Sequence, residues 1–288
     1  MMMRIFPLLM MFFFNICVAD IHNDFIRIRY DKRGMPMVDV QIADRYHTLA
    51  LDTGSGEGLH INQYNLEQLI ANPSLEVIHQ APLRVKDITG SENQVNAWKI
   101  KKLRISNITF NNVLAVSFKP WGFSIGDNIP VNEVMGLGIF QERSFLMDFK
   151  NDRLQMLKKL PSDLSKWSSY PIERTESGLR IKAYVGGKPL YLIVDTGASH
   201  SLLFSDNLPS ETRFFGCHTI EPKAANTDCR VAKITLRDKK GRERNNLAIA
   251  TTSVASEELD FDGLLGMGFM RGHQVIVDMS GRMLYISR

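Results

Sequence analysis

Two carboxylates stand where chemistry could start. Asp52 closes the apolar run Tyr46-His47-Thr48-Leu49-Ala50-Leu51, and Asp195 closes Leu190-Tyr191-Leu192-Ile193-Val194. Each is followed by Thr-Gly. A chain that leaves a buried strand through glycine can turn sharply and present the side chain just before the turn. Two carboxylates held a few ångströms apart resist double ionisation, so they keep one proton between them over a range of pH. Such a pair can act as base and acid together: one member takes a proton from water while the other donates to a substrate oxygen.

The chain around these residues reads as a repeat. Aligning the carboxylates gives an offset of 143 (195 − 52). At that offset Val38–Asp44 lies over Ile181–Gly187, and Leu49–Gly54 lies over Leu192–Gly197 without a gap. Both copies predict a hairpin: an alternating strand, a tight turn at Ala43-Asp44 or Gly186-Gly187, and an apolar strand ending at the carboxylate. Downstream, Val134-Met135-Gly136-Leu137-Gly138-Ile139-Phe140 matches Leu264-Leu265-Gly266-Met267-Gly268-Phe269-Met270 at offset 130 (264 − 134). Leu146-Met147-Asp148-Phe149 matches Ile276-Val277-Asp278-Met279 at the same offset. The second copy is therefore shorter in its middle by 13 (143 − 130). Length variation in the surface loops of a duplicated domain accounts for this.

The remaining pattern predicts a mostly β chain. One helix is expected from Tyr64 to Ala71, where Leu66, Leu69 and Ile70 form an apolar stripe that Asn72-Pro73 ends. Strands are expected at Val95–Ile100, Lys102–Ile105, Val113–Phe118, Arg230–Leu236 and Leu247–Thr251. The basic stretch Arg237 to Arg244 reads as a solvated hairpin tip. The Pro- and Ser-bearing stretch from Lys158 to Tyr170 breaks both periodicities and marks a linker, drawn at residues 161–170 between segments 20–160 and 171–288. Asp148 and Asp278, each before an expected turn, read as caps of backbone N–H groups.

Composition bounds the class. The chain has 288 residues, 44% of them apolar, and a formal charge of +4. That is enough for about two domains, and too little positive excess for a nucleic-acid binder. Residues 1–19 read as a signal peptide, with Arg4 before the apolar stretch Ile5 to Cys17 and small residues around Ala19. Thirteen residues (5–17) fall short of the ~20 that span a bilayer. The expectation is an exported protein, periplasmic or secreted, with no stable membrane insertion once the leader is removed. Two cysteines then remain, and in an oxidising compartment Cys217 and Cys229 suggest one disulfide. The residues leave two alternatives open: free buried thiols, or a metal set of Cys217, His218, Asp228 and Cys229, which lacks a Cys-x-x-Cys pair. No metal and no cofactor is expected. There is no Gly-x-Ser-x-Gly, His-Glu-x-x-His or phosphate-cradling glycine loop.

In these motifs the chain resembles the two-lobed aspartic proteases of the pepsin/retropepsin superfamily. Asp-Thr-Gly-Ser at 52–55 resembles the pepsin-like form, and Asp-Thr-Gly-Ala at 195–198 the retropepsin form. Asp262-Gly263-Leu264-Leu265-Gly266-Met267-Gly268 resembles the superfamily's Asp-Gly-Ile-Leu-Gly-Leu segment. The resemblance implies two homologous β-barrel lobes with a cleft between them, a peptide or protein substrate, and a monomer carrying both catalytic carboxylates, Asp52 and Asp195. By the same resemblance Thr53 and Thr196 bond across the boundary between halves, and Gly54 and Gly197 offer N–H groups to the carboxylates. Ser55 bonds the carboxylate of its own half, which Ala198 cannot do. That missing donor implies a milder acid optimum than a pepsin's. A flap is expected at Asp87–Ser91, with Thr89 and Gly90 over the substrate, although the pepsin-like flap tyrosine is absent. No long basic propeptide is expected, since only Asp20 to Asp24 lie between the leader and the first strand. A catalytically silent peptide-binding module of the same fold is the alternative.

Overall fold

The computed structural model describes residues 25–86, 92–119, 132–175, 177–220, 229–252 and 259–288. The expected leader at 1–19, the flap residues Thr89 and Gly90, and Asp228 lie outside them. The chain is mostly β. The first half runs β1 (Phe25–Tyr30), β2 (Pro36–Ile42), β3 (Arg45–Asp52), β4 (Leu59–Ile61), α1 (Gln63–Ile70), β5 (Val77–Lys86), β6 (Glu92–Ile105), β7 (Ile108–Ser117), β8 (Val134–Gly136), β9 (Phe145–Asp148) and β10 (Arg153–Met156). The second runs β11 (Ser168–Thr175), β12 (Gly178–Val185), β13 (Lys188–Val194), β14 (Ser201–Phe204), β15 (Arg213–Gly216), β16 (Arg230–Arg237), β17 (Glu243–Thr251), β18 (Gly263–Leu265), α2 (Met267–Met270), β19 (Gln274–Asp278) and β20 (Met283–Ile286).

The halves use one pairing scheme. In each, a hairpin ends at the carboxylate strand: β2 with β3, and β12 with β13. Their two-residue turns need a left-handed backbone, which Ala43 adopts at φ 52° and Gly186 and Gly187 at 57° and 83°. The carboxylate strand then gains a parallel neighbour from far downstream: β3 pairs with β8, and β13 with β18. A third short strand closes on that neighbour from the other side, β4 on β8 and β14 on β18. These strands bury mainly apolar side chains; Leu49, Leu51, Leu59, Ile61 and Met135 are fully enclosed, as are Leu192, Leu203 and Leu265.

A third set of strands joins the halves, in the order β1-β10-β9-β19-β20-β11, all antiparallel. Its centre is the pairing of β9 with β19. The two repeat-matched aspartates sit there, both buried. Each accepts a side-chain hydrogen bond from the opposite half: Gln274 Nε2 donates to Asp148 at 2.9 Å, and Ser144 Oγ to Asp278 at 3.0 Å. They also cap their own turns, through Asn151 N–H and Gly281 N–H. The expected capping role is present, and it is joined to a second one of tying the halves.

Several local readings need correction. The expected strands 95–100 and 102–105 are one strand of 14 residues, β6, because Lys101 and Lys102 are exposed within it and do not end the backbone pairing. β17 begins at Glu243 rather than Leu247, continuing the β16 pairing through polar positions. The last three residues of the expected linker already belong to β11, and Tyr170 is completely buried. The basic tip is not simply solvated. Buried Asp238 accepts N–H bonds from Ser169, Lys240 and Arg242, and the Arg242 guanidinium donates to the Trp167 and Ser165 carbonyls. The helix is one residue displaced from expectation, because the Asn62 side chain caps it by accepting from Asn65 N–H.

Candidate active site

Asp52 is the last residue of β3, and Asp195 directly follows β13. Behind each, the chain turns through Thr-Gly and is locked to the returning parallel strand. Leu137 N–H donates to the Ser55 carbonyl at 2.8 Å, and Met267 N–H to the Ala198 carbonyl at 2.8 Å. Glycine is required where that strand passes the turn: a Cβ on Gly136 would collide with the Glu57 carbonyl, and one on Gly266 with the His200 carbonyl. This explains why the apolar-apolar-Gly segment recurs in both halves.

The two turns meet face to face. Thr53 N–H donates to Thr196 Oγ1 at 3.0 Å, and Thr196 N–H donates to Thr53 Oγ1 at 3.1 Å. Each hydroxyl in turn donates to a carbonyl of the opposite half: Thr53 to Val194 at 2.7 Å, and Thr196 to Leu51 at 2.6 Å. Both threonines are fully buried. Four hydrogen bonds related by a local twofold therefore fix one turn on the other.

This lock brings the carboxylates of Asp52 and Asp195 into hydrogen-bond contact with each other. Each also accepts the N–H of its own glycine, Gly54 at 2.9 Å and Gly197 at 2.7 Å. Each is seated against the glycine of the opposite turn as well. A Cβ on Gly54 would lie 2.6 Å from Asp195 Cγ, and one on Gly197 would lie 2.6 Å from Asp52 Oδ2. The glycines thus have two jobs, donating to one carboxylate and leaving room for the other. Protein surrounds the pair, yet both residues keep partial access to solvent.

The electrostatics of the pair are unequal. Burial pushes the Asp195 carboxyl well above the usual carboxylate range, and the neighbouring charge and hydrogen bond of Asp52 push it further, against the N–H groups of Gly197 and Ala198. Burial also raises Asp52, but its hydrogen bond with Asp195, the charge of His60 and the N–H groups of Gly54 and Ser55 draw it back. Both carboxyls are thus raised, Asp195 the more strongly, and the pair keeps one proton between its members over a range of pH. An ionised base and a protonated acid in contact can activate a water and protonate a carbonyl oxygen in one event.

Ser55 departs from the expected arrangement. Its hydroxyl lies 2.6 Å from His60 Nε2 rather than on the Asp52 carboxylate, and its backbone N–H donates to the Asp52 backbone carbonyl at 3.3 Å. His60 is fully buried on β4, with Glu57 Oε2 3.3 Å from the same Nε2. The two carboxyls differ first through burial and their coupling to each other, and the charge of His60 acts as a smaller cause on the Asp52 side. Neither His60 nor Glu57 was singled out from sequence. The available signal was their i,i+3 spacing directly after the first Asp-Thr-Gly-Ser-Gly.

Thr89 and Gly90 lie outside the described residues; the flanking strands β5 and β6 are paired up to Lys86 and Glu92. Cys217 and Cys229 form a disulfide with a Cα–Cα distance of 5.4 Å, so neither thiolate serves a metal. Among the described residues, no three His, Cys, Asp or Glu side chains converge as a metal-ligand set. No helix among them is long and apolar enough to cross a membrane.

No protein-family model matches the sequence, and no curated protein matches it either. Solved structures do resemble the fold. A basic 7S globulin from soybean superposes with a TM-score of 0.57 at 11% identity, over 91% of this chain and 94% of that one. Conglutin gamma, a basic 7S globulin from lupine seeds, gives 0.53 at 10% identity over 91% and 94%. An aspartic proteinase from Irpex lacteus gives 0.56 at 12% identity over 91% and 96%. At such low identity the likeness is one of fold.

Proposed function

We propose that the chain is an exported, monomeric aspartic endopeptidase in which two lobes enclose a cleft and Asp52 and Asp195 hydrolyse peptide bonds. The observation that carries this reading is the paired carboxylates, held together by the four-bond threonine lock. In the reaction, Asp52 accepts a proton from water as the water oxygen bonds to the scissile carbonyl carbon. Asp195 gives its proton to the carbonyl oxygen, producing a neutral tetrahedral diol. The C–N bond then breaks: Asp52 returns its proton to the departing nitrogen, and a diol hydroxyl returns one to Asp195. The pair ends as it began, without a covalent intermediate. Because both carboxyls are raised, activity is expected in mild rather than strong acid.

A second reading, a catalytically silent peptide-binding module, is favoured by the two globulins that share the fold at the same level as the proteinase. Against it stands the pair itself, since a binding cleft has no need of two mutually repelling carboxylates. A statine-type inhibitor separates the readings, because its hydroxyl occupies the position of the attacking water. Calorimetry across pH 4–7 should show tight binding to the wild type and at least about a hundredfold loss in Asp195→Asn. Equal binding to both would refute the acid/base reading.

A further inference from the structure

The halves repeat each other around the carboxylates except beside Asp52. His60 faces Val134 on β8, and Leu202 faces Leu264 on β18, so His60 and Leu202 are equivalent (264 − 134 = 130). Ser55 and Ala198 are equivalent through their bonds to Leu137 and Met267. Glu57 and Ser199 are equivalent through theirs to Gly138 and Gly268. The offset falls from 143 (198 − 55) to 142 (199 − 57), so the first half has one residue more in this turn. Three polar groups therefore stand where the second half has Ala, Ser and Leu.

These groups touch one another. His60 Nε2 is 2.6 Å from Ser55 Oγ and 3.3 Å from Glu57 Oε2, and Ser55 Oγ is 3.5 Å from that same Glu57 oxygen. With the proton on Nε2, the imidazole donates toward both partners. A buried histidine–carboxylate pair is a weak source of stability compared with apolar packing, and Leu202 shows that the strand accepts an apolar residue at this position. Its retention beside one carboxylate and not the other points to the site.

We propose that Ser55, Glu57 and His60 form a positioning cluster that makes Asp52, and not Asp195, the ionised member of the pair. Regulation of the proposed acid/base site is meant, so the inference rests on that reading of the carboxylates. The charge of His60 acts to favour the carboxylate form of Asp52, and Glu57 Oε2 stands 3.3 Å from Nε2 on the other side of the cluster. Ser55 couples the cluster to the turn, because its own N–H donates to the Asp52 backbone carbonyl at 3.3 Å. Among the described residues, Glu57 from the turn and Asp52 from the end of β3 are ionisable groups acting on His60, and β7 and β8 oppose it with Val116 and Val134. On the Asp195 side the equivalent strand position is Leu202, which carries no charge.

The test follows the carboxyl carbons of 13C-labelled aspartate by NMR from pH 2 to 8, alongside cleavage of a peptide mixture. His60→Gln keeps a donor to Ser55 without the charge, and His60→Leu copies the second half. In both, the lower of the pair's two apparent pKa values should rise by about half a unit or more, and the acid limb of activity should rise with it. His47→Gln removes the other His–Glu pair of this half, His47 with Glu133, and should shift neither. An unchanged lower pKa in folded His60 variants overturns the proposal. The NMR result stands whether or not peptides are cut. An inactive wild type with the expected NMR shift would count against the peptidase reading alone.

Discussion

Replacing Thr196 by Val tests the lock that creates the site. Valine keeps the β-branched shape and removes only the hydroxyl. Two bonds go: the one accepted from Thr53 N–H at 3.0 Å and the one donated to the Leu51 carbonyl at 2.6 Å. Both lie in the interior, where Thr53 and Thr196 have no solvent exposure. A stranded buried N–H costs about 1–3 kcal/mol, and the lost bond to the Leu51 carbonyl about 0.5–1.5 kcal/mol. The expected loss is therefore about 2–4 kcal/mol. At roughly 2–4 °C per kcal/mol for a chain of this size, Tm should fall by about 4–16 °C. Thr196→Ser keeps the hydroxyl and should lose only about 1 kcal/mol, for its methyl. Thr53→Val should match Thr196→Val, because the lock is twofold. The assay is thermal unfolding at pH 6 followed by circular dichroism and calorimetry. A Thr196→Val protein within about 0.5 kcal/mol of wild type, or one more stable than Thr196→Ser, would refute the reasoning.

Asp195→Asn should stabilise the protein at neutral pH. Both carboxyls bind protons more tightly folded than unfolded, so the wild type loses stability as pH rises from the unfolded value of about 3.9 through the folded ones. The Asn variant should melt higher at pH 7, with the gap closing toward pH 4; a gap that widens in acid would contradict this. Gly197→Ala places a Cβ 2.6 Å from Asp52 Oδ2. It should leave a folded protein with about a hundredfold less peptidase activity, and full activity would contradict the seating of that carboxylate. Removing the Cys217–Cys229 bridge, which joins residues 12 apart, should cost about 3 kcal/mol. A melting curve unchanged by reduction would show that it does not hold the fold.

Much of this arrangement was legible because the chain states it twice. Asp52-Thr53-Gly54 and Asp195-Thr196-Gly197 stand at equal places in their hairpins, and the glycines at 136 and 266 recur because each must clear a carbonyl of the preceding turn. What stayed hidden depends on pairings that local pattern does not encode. β4 is only three residues long, so the inward face of His60 was invisible, and the extra residue in its turn displaced the match to Leu202. The sheet joining the halves pairs segments more than a hundred residues apart. Lys101 and Lys102 imitated a break in β6. Asp238 sits within a basic run and is buried because Ser169, far upstream, donates to it.

The most direct test of the central claim is cleavage of a complex peptide mixture from pH 3 to 7 by residues 20–288 of the protein, beside Asp52→Asn and Asp195→Asn. Folding of all three is checked by circular dichroism. The account predicts cuts by the wild type in mild acid that vanish in both variants, because neither carboxylate acts without its partner. Cuts that survive either substitution in a folded protein would place the chemistry elsewhere and contradict it.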